Sequence, residues 1–65
     1  MIEGTVKNWD PLKGWGFVED DDGFDYFLHI DQVRKGQTLQ VGDRVKFDVR
    51  EGQRGPAAEK VCKIT

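Results

Sequence analysis

The sequence holds little of what many folds depend on. One cysteine, Cys62, occurs among 65 residues. A single thiol closes no intrachain disulfide and builds no multi-cysteine zinc site, so a disulfide-stapled scaffold is excluded. Long apolar runs are missing. The longest, Tyr26-Phe27-Leu28, is 3 residues, whereas a membrane-spanning helix needs about 20. Excess positive charge is missing too: 10 Lys and Arg face 12 Asp and Glu, for a net charge of −2. Overall charge therefore does not hold a polyanion, and any such binding must come from a local patch. Glycines at 4, 14, 16, 23, 36, 42, 52 and 55, with Pro11 and Pro56, interrupt every stretch that would carry helical apolar spacing. Met1-Ile2-Glu3-Gly4 has no apolar h-region, so no signal peptide is expected. Together with the lone thiol this leads to an expectation of cytoplasmic residence. His29 is the only histidine, with no second His or Cys to build a metal site and no nucleophile beside it. No enzyme, metal, cofactor, small-molecule substrate or membrane partner is expected.

What is present is alternation. Ile2, Gly4 and Val6 share one parity; Val45, Phe47 and Val49 share another, between Lys46, Asp48 and Arg50. Residues 15–19 and 24–30 are rich in β-formers and aromatics, and a fifth segment covers about 57–64. Turn chemistry separates them: Asp10-Pro11 to Gly14, Asp20-Asp21-Asp22-Gly23, and a loop over 51–56. Residues 31–43 form the longest linker, with one helical turn expected at 31–34. The expected fold is all-β: a five-stranded antiparallel barrel, whose closure removes exposed strand edges. Residues 1–65 are read as a single domain and a monomer.

The aromatics are clustered. Trp9, Trp15, Phe17, Phe24, Tyr26 and Phe27 lie within positions 9–27, leaving only Phe47 outside. Parity divides them. Val18, Leu28 and Ile30 are the natural core side, joined by Tyr26 with its hydroxyl at the rim. Trp15, Phe17, Phe27 and His29 then face water. A conventional aromatic core is the plainer reading, but the opposite parity already supplies aliphatic core residues. Four rings on a solvated face are a poor arrangement for stability alone. They suit unpaired bases, whose π-faces stack on such rings at about 1–3 kcal/mol each. Lys7 and Lys13 stand nearby in sequence, where they can hold phosphates. Trp9 is expected on the same surface. Phe24 is read as ambiguous, and Phe47 as core.

Lys13-Gly14-Trp15-Gly16-Phe17-Val18 has the pattern of the first ribonucleoprotein motif, and Tyr26-Phe27-Leu28-His29 looks like its companion. With the glycine-bearing motif first, and with Glu3-Gly4, Val6-Lys7 and Gly55-Pro56-Ala57-Ala58 matching elsewhere, the chain resembles the bacterial cold-shock domain family along essentially its whole length. The resemblance implies an OB-type Greek-key barrel that binds single-stranded RNA and DNA with low sequence specificity. It also implies an RNA chaperone that serves in cold adaptation or growth regulation. Lys7, Trp9, Lys13, Trp15, Phe17, Phe27, His29 and Arg54 match the family's nucleic-acid-contacting positions.

Departures from the pattern are specific. Asn8-Trp9 stands where the family has Trp-Phe, so one stacking ring is lost, although Asn8 keeps the capacity to hydrogen-bond a base edge. Ile30 replaces an aromatic. The linker is about two residues shorter than usual and carries Arg34-Lys35-Gly36-Gln37-Thr38 where a phenylalanine is common. Arg34 and Lys35 are read either as phosphate contacts or as a solvated pair. Glu59 replaces a small residue. Residues 19–22 are read as a solvated acidic hairpin tip, and Cys62 as a small core or rim residue. An alternative of another class is an OB-type module whose aromatic patch docks a partner protein.

Overall fold

The computed structural model describes residues 1–64. Five strands form: β1 (Ile2–Asp10), β2 (Trp15–Asp20), β3 (Asp25–His29), β4 (Arg44–Gly52) and β5 (Gly55–Lys63). One 3-10 turn, Ile30–Gln32, follows β3. The strands close into a barrel in the order β1-β2-β3-β5-β4. Four pairings are antiparallel: β1 with β2, β1 with β4, β2 with β3, and β4 with β5. The fifth, β3 with β5 at Phe27 and Ala57, is parallel. This corrects the all-antiparallel expectation at one seam. The cause is topological, since an odd number of strands cannot alternate direction all the way around a ring. A second parallel bridge, Val33 to Val61, extends that seam. No helix among the described residues is long and apolar enough to cross a membrane.

The core is aliphatic with one ring: Val6, Val18, Leu28, Leu39, Val45, Phe47, Ala58 and Val61. Burying each of the larger side chains stabilises the fold by about 1.5–3 kcal/mol. Tyr26 packs edge-on against Phe47, centroids 5.3 Å apart, from the partly buried layer around that core. Leu39 comes from the linker, where no strand periodicity marks it. The linker is tied down at its end, because Val6 N–H donates to Asp43 O (2.9 Å) and Gly42 N–H to Val6 O (2.8 Å).

Two bulges break the alternation. In β1 the register passes from Val6 opposite Val18 to Asn8 opposite Phe17, so Lys7 is the extra residue. In β5, Lys60 and Val61 together oppose Phe47, between the pairs Lys46–Cys62 and Asp48–Glu59. Lys60 takes φ 53°, a left-handed conformation that costs a non-glycine residue about 1–2 kcal/mol. The extra residue lets both Ala58 and Val61 face inward although they are 3 apart. Glu59 sits half-exposed just before this bulge, opposite Asp48.

Several expectations change. Ile30 is 47% exposed rather than core, because the strand stops at His29 and the 3-10 turn carries Ile30 away. Its N–H donates instead to Gly14 O at 2.9 Å. Val49 is 38% exposed, since β4 has no β1 neighbour beyond Phe47 and the barrel wall ends there. The loop at 51–56 is a tight hairpin in which Gly52 pairs with Gly55, leaving only Gln53 and Arg54 at the tip. The linker's helical turn falls at Ile30–Gln32, earlier than expected.

Asp20 is not a solvated tip residue: it is 9% exposed. Its Oδ1 accepts the N–H groups of Asp22 and Phe24, both at 2.9 Å, and its Oδ2 accepts the Tyr26 hydroxyl at 2.8 Å. Gly23, at φ 89°, makes the reversal that brings Phe24 back to it. Asp21 pairs with Arg44 at 2.8 Å and joins the hairpin to β4. Cys62 is half-buried beside Arg34 and Gln37, each 3.9 Å from its Sγ.

Candidate nucleic-acid interface

β2 and β3 build the centre of the site. Neither carries a bulge, so their alternation holds. Trp15 lies opposite His29 and Phe17 opposite Phe27, while Gly16 opposite Leu28 and Val18 opposite Tyr26 form the other face. Val18 and Leu28 are buried, which turns the three aromatic rings and the imidazole outward. The rings pack on one another. Trp15 and Phe27 are near-parallel at 6.0 Å, and Phe17 meets Trp15 and Phe27 edge-on at 6.1 and 5.9 Å. His29 tilts against Phe27 at 6.4 Å. Mutual contact leaves the three aromatic rings half-buried and holds them in place, while the imidazole stays exposed.

Glycine at 16 is required by what lies beneath. A Cβ there would stand 2.0 Å from the Asn8 carbonyl oxygen. The close approach of β1 to β2 sets the spacing between Asn8 and the ring pair.

A hollow opens on each side of the cluster. One, of about 410 Å³, is lined by Asn8, Trp9, Asp10, Lys13, Trp15, Phe17 and Val41. The other, of about 370 Å³, lies between β3 and the β4–β5 hairpin, with Phe27, His29, Arg50 and Arg54 in its wall. Rings and hollows together form one track across the barrel face.

The charges on this track are already engaged in part. Lys7 Nζ lies 3.1 Å from Asp25 Oδ2, and the hydrogen bond with that carboxylate raises the lysine above its ordinary pKa. The Arg54 guanidinium sits 5.2 Å from the Phe27 centroid, covering that ring. Lys13 is exposed on the turn between β1 and β2 and makes no ion pair among the described residues. His29 Nδ1 accepts the Asp31 N–H at 3.1 Å. In the neutral imidazole this puts the proton on Nε2, which is left as a donor. Behind the face, hydrogen bonds from Phe24 N–H, and secondarily from Tyr26, hold the Asp20 carboxyl below its usual pKa. The same bond to Asp20 raises the Tyr26 hydroxyl.

All nine residues singled out from the sequence thus lie on or beside this face, but two have exchanged orientation. Simple alternation puts Trp9 outward and Asn8 inward with Val6. The bulge at Lys7 reverses both. Trp9 lies opposite Gly16 and packs against the core, giving only part of its surface to the hollow. Asn8 faces out beside Phe17. Asp10, Val41 and Arg50 also line the track and were not singled out. A bulge in β1 was the signal needed for Asp10, and nothing in its local sequence announces one. Phe24, at 64% exposed, forms no aromatic pair with the ring cluster among the described residues. Arg34 is turned to Cys62.

Comparison with known proteins agrees with this geometry. The profile of the 'Cold-shock' DNA-binding domain matches residues 2–64. The major cold shock protein of Streptococcus pyogenes is 42% identical over 66 residues, covering 98% of each chain. The cold shock-like protein CspLB of Listeria monocytogenes is 47% identical over 66 residues, covering 98% of this chain and 100% of its own. Among solved structures, drosophila Unr CSD456 superposes with a TM-score of 0.82 at 20% identity, over 98% of this chain and 26% of that one. A match that runs nearly end to end, on a barrel with this strand order, leaves one assignment: the chain belongs to the cold-shock domain family.

Proposed function

We propose that the chain binds single-stranded RNA or DNA along the ring face and acts as an RNA chaperone in cold-shock-type regulation. It acts as a cytoplasmic monomer, without covalent chemistry. The observation that carries this reading is the outward quartet of Trp15, Phe17, Phe27 and His29, paired directly across two adjacent strands. Each ring offers a flat face to one base, at about 1–3 kcal/mol per base. Three or four such contacts together with phosphate attraction, less the cost of ordering the strand, reach the micromolar range, which corresponds to about 8 kcal/mol. Lys7, Lys13, Arg50 and Arg54 stand along the track for phosphates. A protein that holds unpaired bases stabilises the open form of a weak hairpin and melts it by mass action.

Titrating tryptophan fluorescence with an oligopyrimidine of about seven nucleotides tests this. Trp15 is on the track and Trp9 borders it, so stacking quenches the signal. Affinity should fall with salt at a log–log slope of about −2 to −3, for three or four phosphates neutralised on a single strand. An unquenched spectrum with no saturable binding overturns the reading. A slope near zero, with binding to a protein partner instead, points to the docking alternative.

A further inference from the structure

The bulge at Lys7 brings a carboxylate out to the ring face. Asp10 lies directly opposite Trp15 and lines the hollow beside it. Its Oδ1 accepts the N–H groups of Leu12 and Lys13, both at 3.0 Å. Those two bonds occupy that oxygen and fix the carboxylate plane. Oδ2 accepts no hydrogen bond among the described residues, although it borders a hollow walled by tryptophan and phenylalanine. A carboxylate beside a phosphate-binding track works against general affinity by charge repulsion. It contributes if it reads a base.

We propose that Asp10 is a specificity-determining residue. Through Oδ2 it selects, for the position stacked on Trp15, a base with an exocyclic amino group (cytosine, adenine or guanine) over uracil or thymine. The proposal rests on the single-strand reading above. An ionised carboxylate only accepts hydrogen bonds. An exocyclic amino group donates, as glutamate and aspartate receive the N4 amino group of cytosine elsewhere. The edge of uracil instead sets two carbonyl oxygens around one N–H, and their lone pairs repel the carboxylate. Asn8, beside Phe17, carries both a donor and an acceptor and so accommodates either kind of edge. Discrimination is therefore concentrated at Asp10.

The test compares heptamers of cytidine and of uridine against the wild-type chain and Asp10→Asn, read by tryptophan quenching near pH 7.5. Asparagine keeps an oxygen for the two backbone N–H groups and turns its amide N–H₂ toward the hollow, which reverses the hydrogen-bond preference. Wild type should bind the cytidine heptamer about tenfold more tightly, the size of one charge-assisted hydrogen bond at a partly wet site. Asp10→Asn should bring the ratio to one or below. The ratio is read rather than the absolute affinity, because loss of a negative charge alone strengthens both complexes. Asp10→Ser, which retains a turn acceptor, should also give a ratio near one, and thermal melting checks that both variants fold. Equal cytidine-to-uridine ratios in wild type and Asp10→Asn, with both heptamers still bound, overturn the selectivity and leave the interface standing. No binding of either heptamer by wild type overturns both.

Discussion

Replacing Phe27 with alanine removes the ring at the middle of the track. Phe27 touches Trp15, Phe17 and His29 at centroid distances of 6.0, 5.9 and 6.4 Å, and Arg54 stands 5.2 Å above it. One base platform is lost, about 1–3 kcal/mol of binding. Against this, the variant no longer has to displace Arg54 from the ring, a contact of about 0.5–1 kcal/mol at an exposed site. The net loss is about 2 kcal/mol with the stacking value at its upper range, or about thirtyfold in Kd. Stability falls as well, because the pairs with Trp15 and Phe17 disappear at about 0.5–1.5 kcal/mol each, along with the contact to His29. Phe27→Leu separates the two effects: it retains apolar packing but has no flat face. The assay is fluorescence titration at about 15 °C, with circular dichroism confirming the folded fraction. Phe27→Leu should lose most of the affinity lost by alanine while melting close to wild type. Phe24→Ala, at a ring 64% exposed and outside the cluster, should bind within twofold of wild type. Wild-type affinity in Phe27→Leu, or an equal loss in Phe24→Ala, refutes the stacking assignment.

Leu39→Ala empties a site that is 4% exposed and should cost about 2–5 kcal/mol in urea unfolding. A small loss would show that the linker does not seal the barrel. Asp25→Asn should free Lys7 from its 3.1 Å partner and raise affinity about two- to fivefold at low salt; the gain should vanish at high salt, and its absence would show that Lys7 meets no phosphate. Asp20, Asp21 and Asp43 all have depressed pKa values, held down by the Phe24 N–H, the Arg44 side chain and the Gln40 N–H respectively. Their stabilisation is complete above the ordinary value of 3.8 and is lost as pH falls through the lower folded values. Melting temperature should thus drop below about pH 4, more gently in Asp20→Asn; a slope unchanged in that variant would remove Asp20 from the explanation.

The parts of this fold that were legible obey strict alternation. β2 and β3 run without interruption, so Val18 and Leu28 inward and Trp15, Phe17 and Phe27 outward could be assigned from parity alone. β1 could not, because one extra residue at Lys7 inverts every position after it. Trp9 therefore packs against the core and gives only part of its surface to the hollow, and Asp10, which the sequence marks only as a turn residue, faces outward. Leu39 lies in irregular chain, where a buried residue has no period to betray it. Ile30 and Val49 continue the parity of their strands, but the strand or its neighbour ends before they are covered. Asp20 was disguised by its company: three consecutive aspartates look solvated, and only the folded hairpin brings three donors to the first of them.

The extra residue at position 7 divides its strand into two independent registers. Upstream, Gly4 and Val6 are committed to the interior. Downstream, Asn8 and Asp10 can be exchanged for other polar types without opening a void, since only Trp9 among residues 8–10 packs inward. Ligand preference in such a chain can drift while its packing stays fixed. Pairing Lys7 in regular register, with no bulge, would abolish that freedom in one step, driving a carboxylate into the barrel and an indole into solvent.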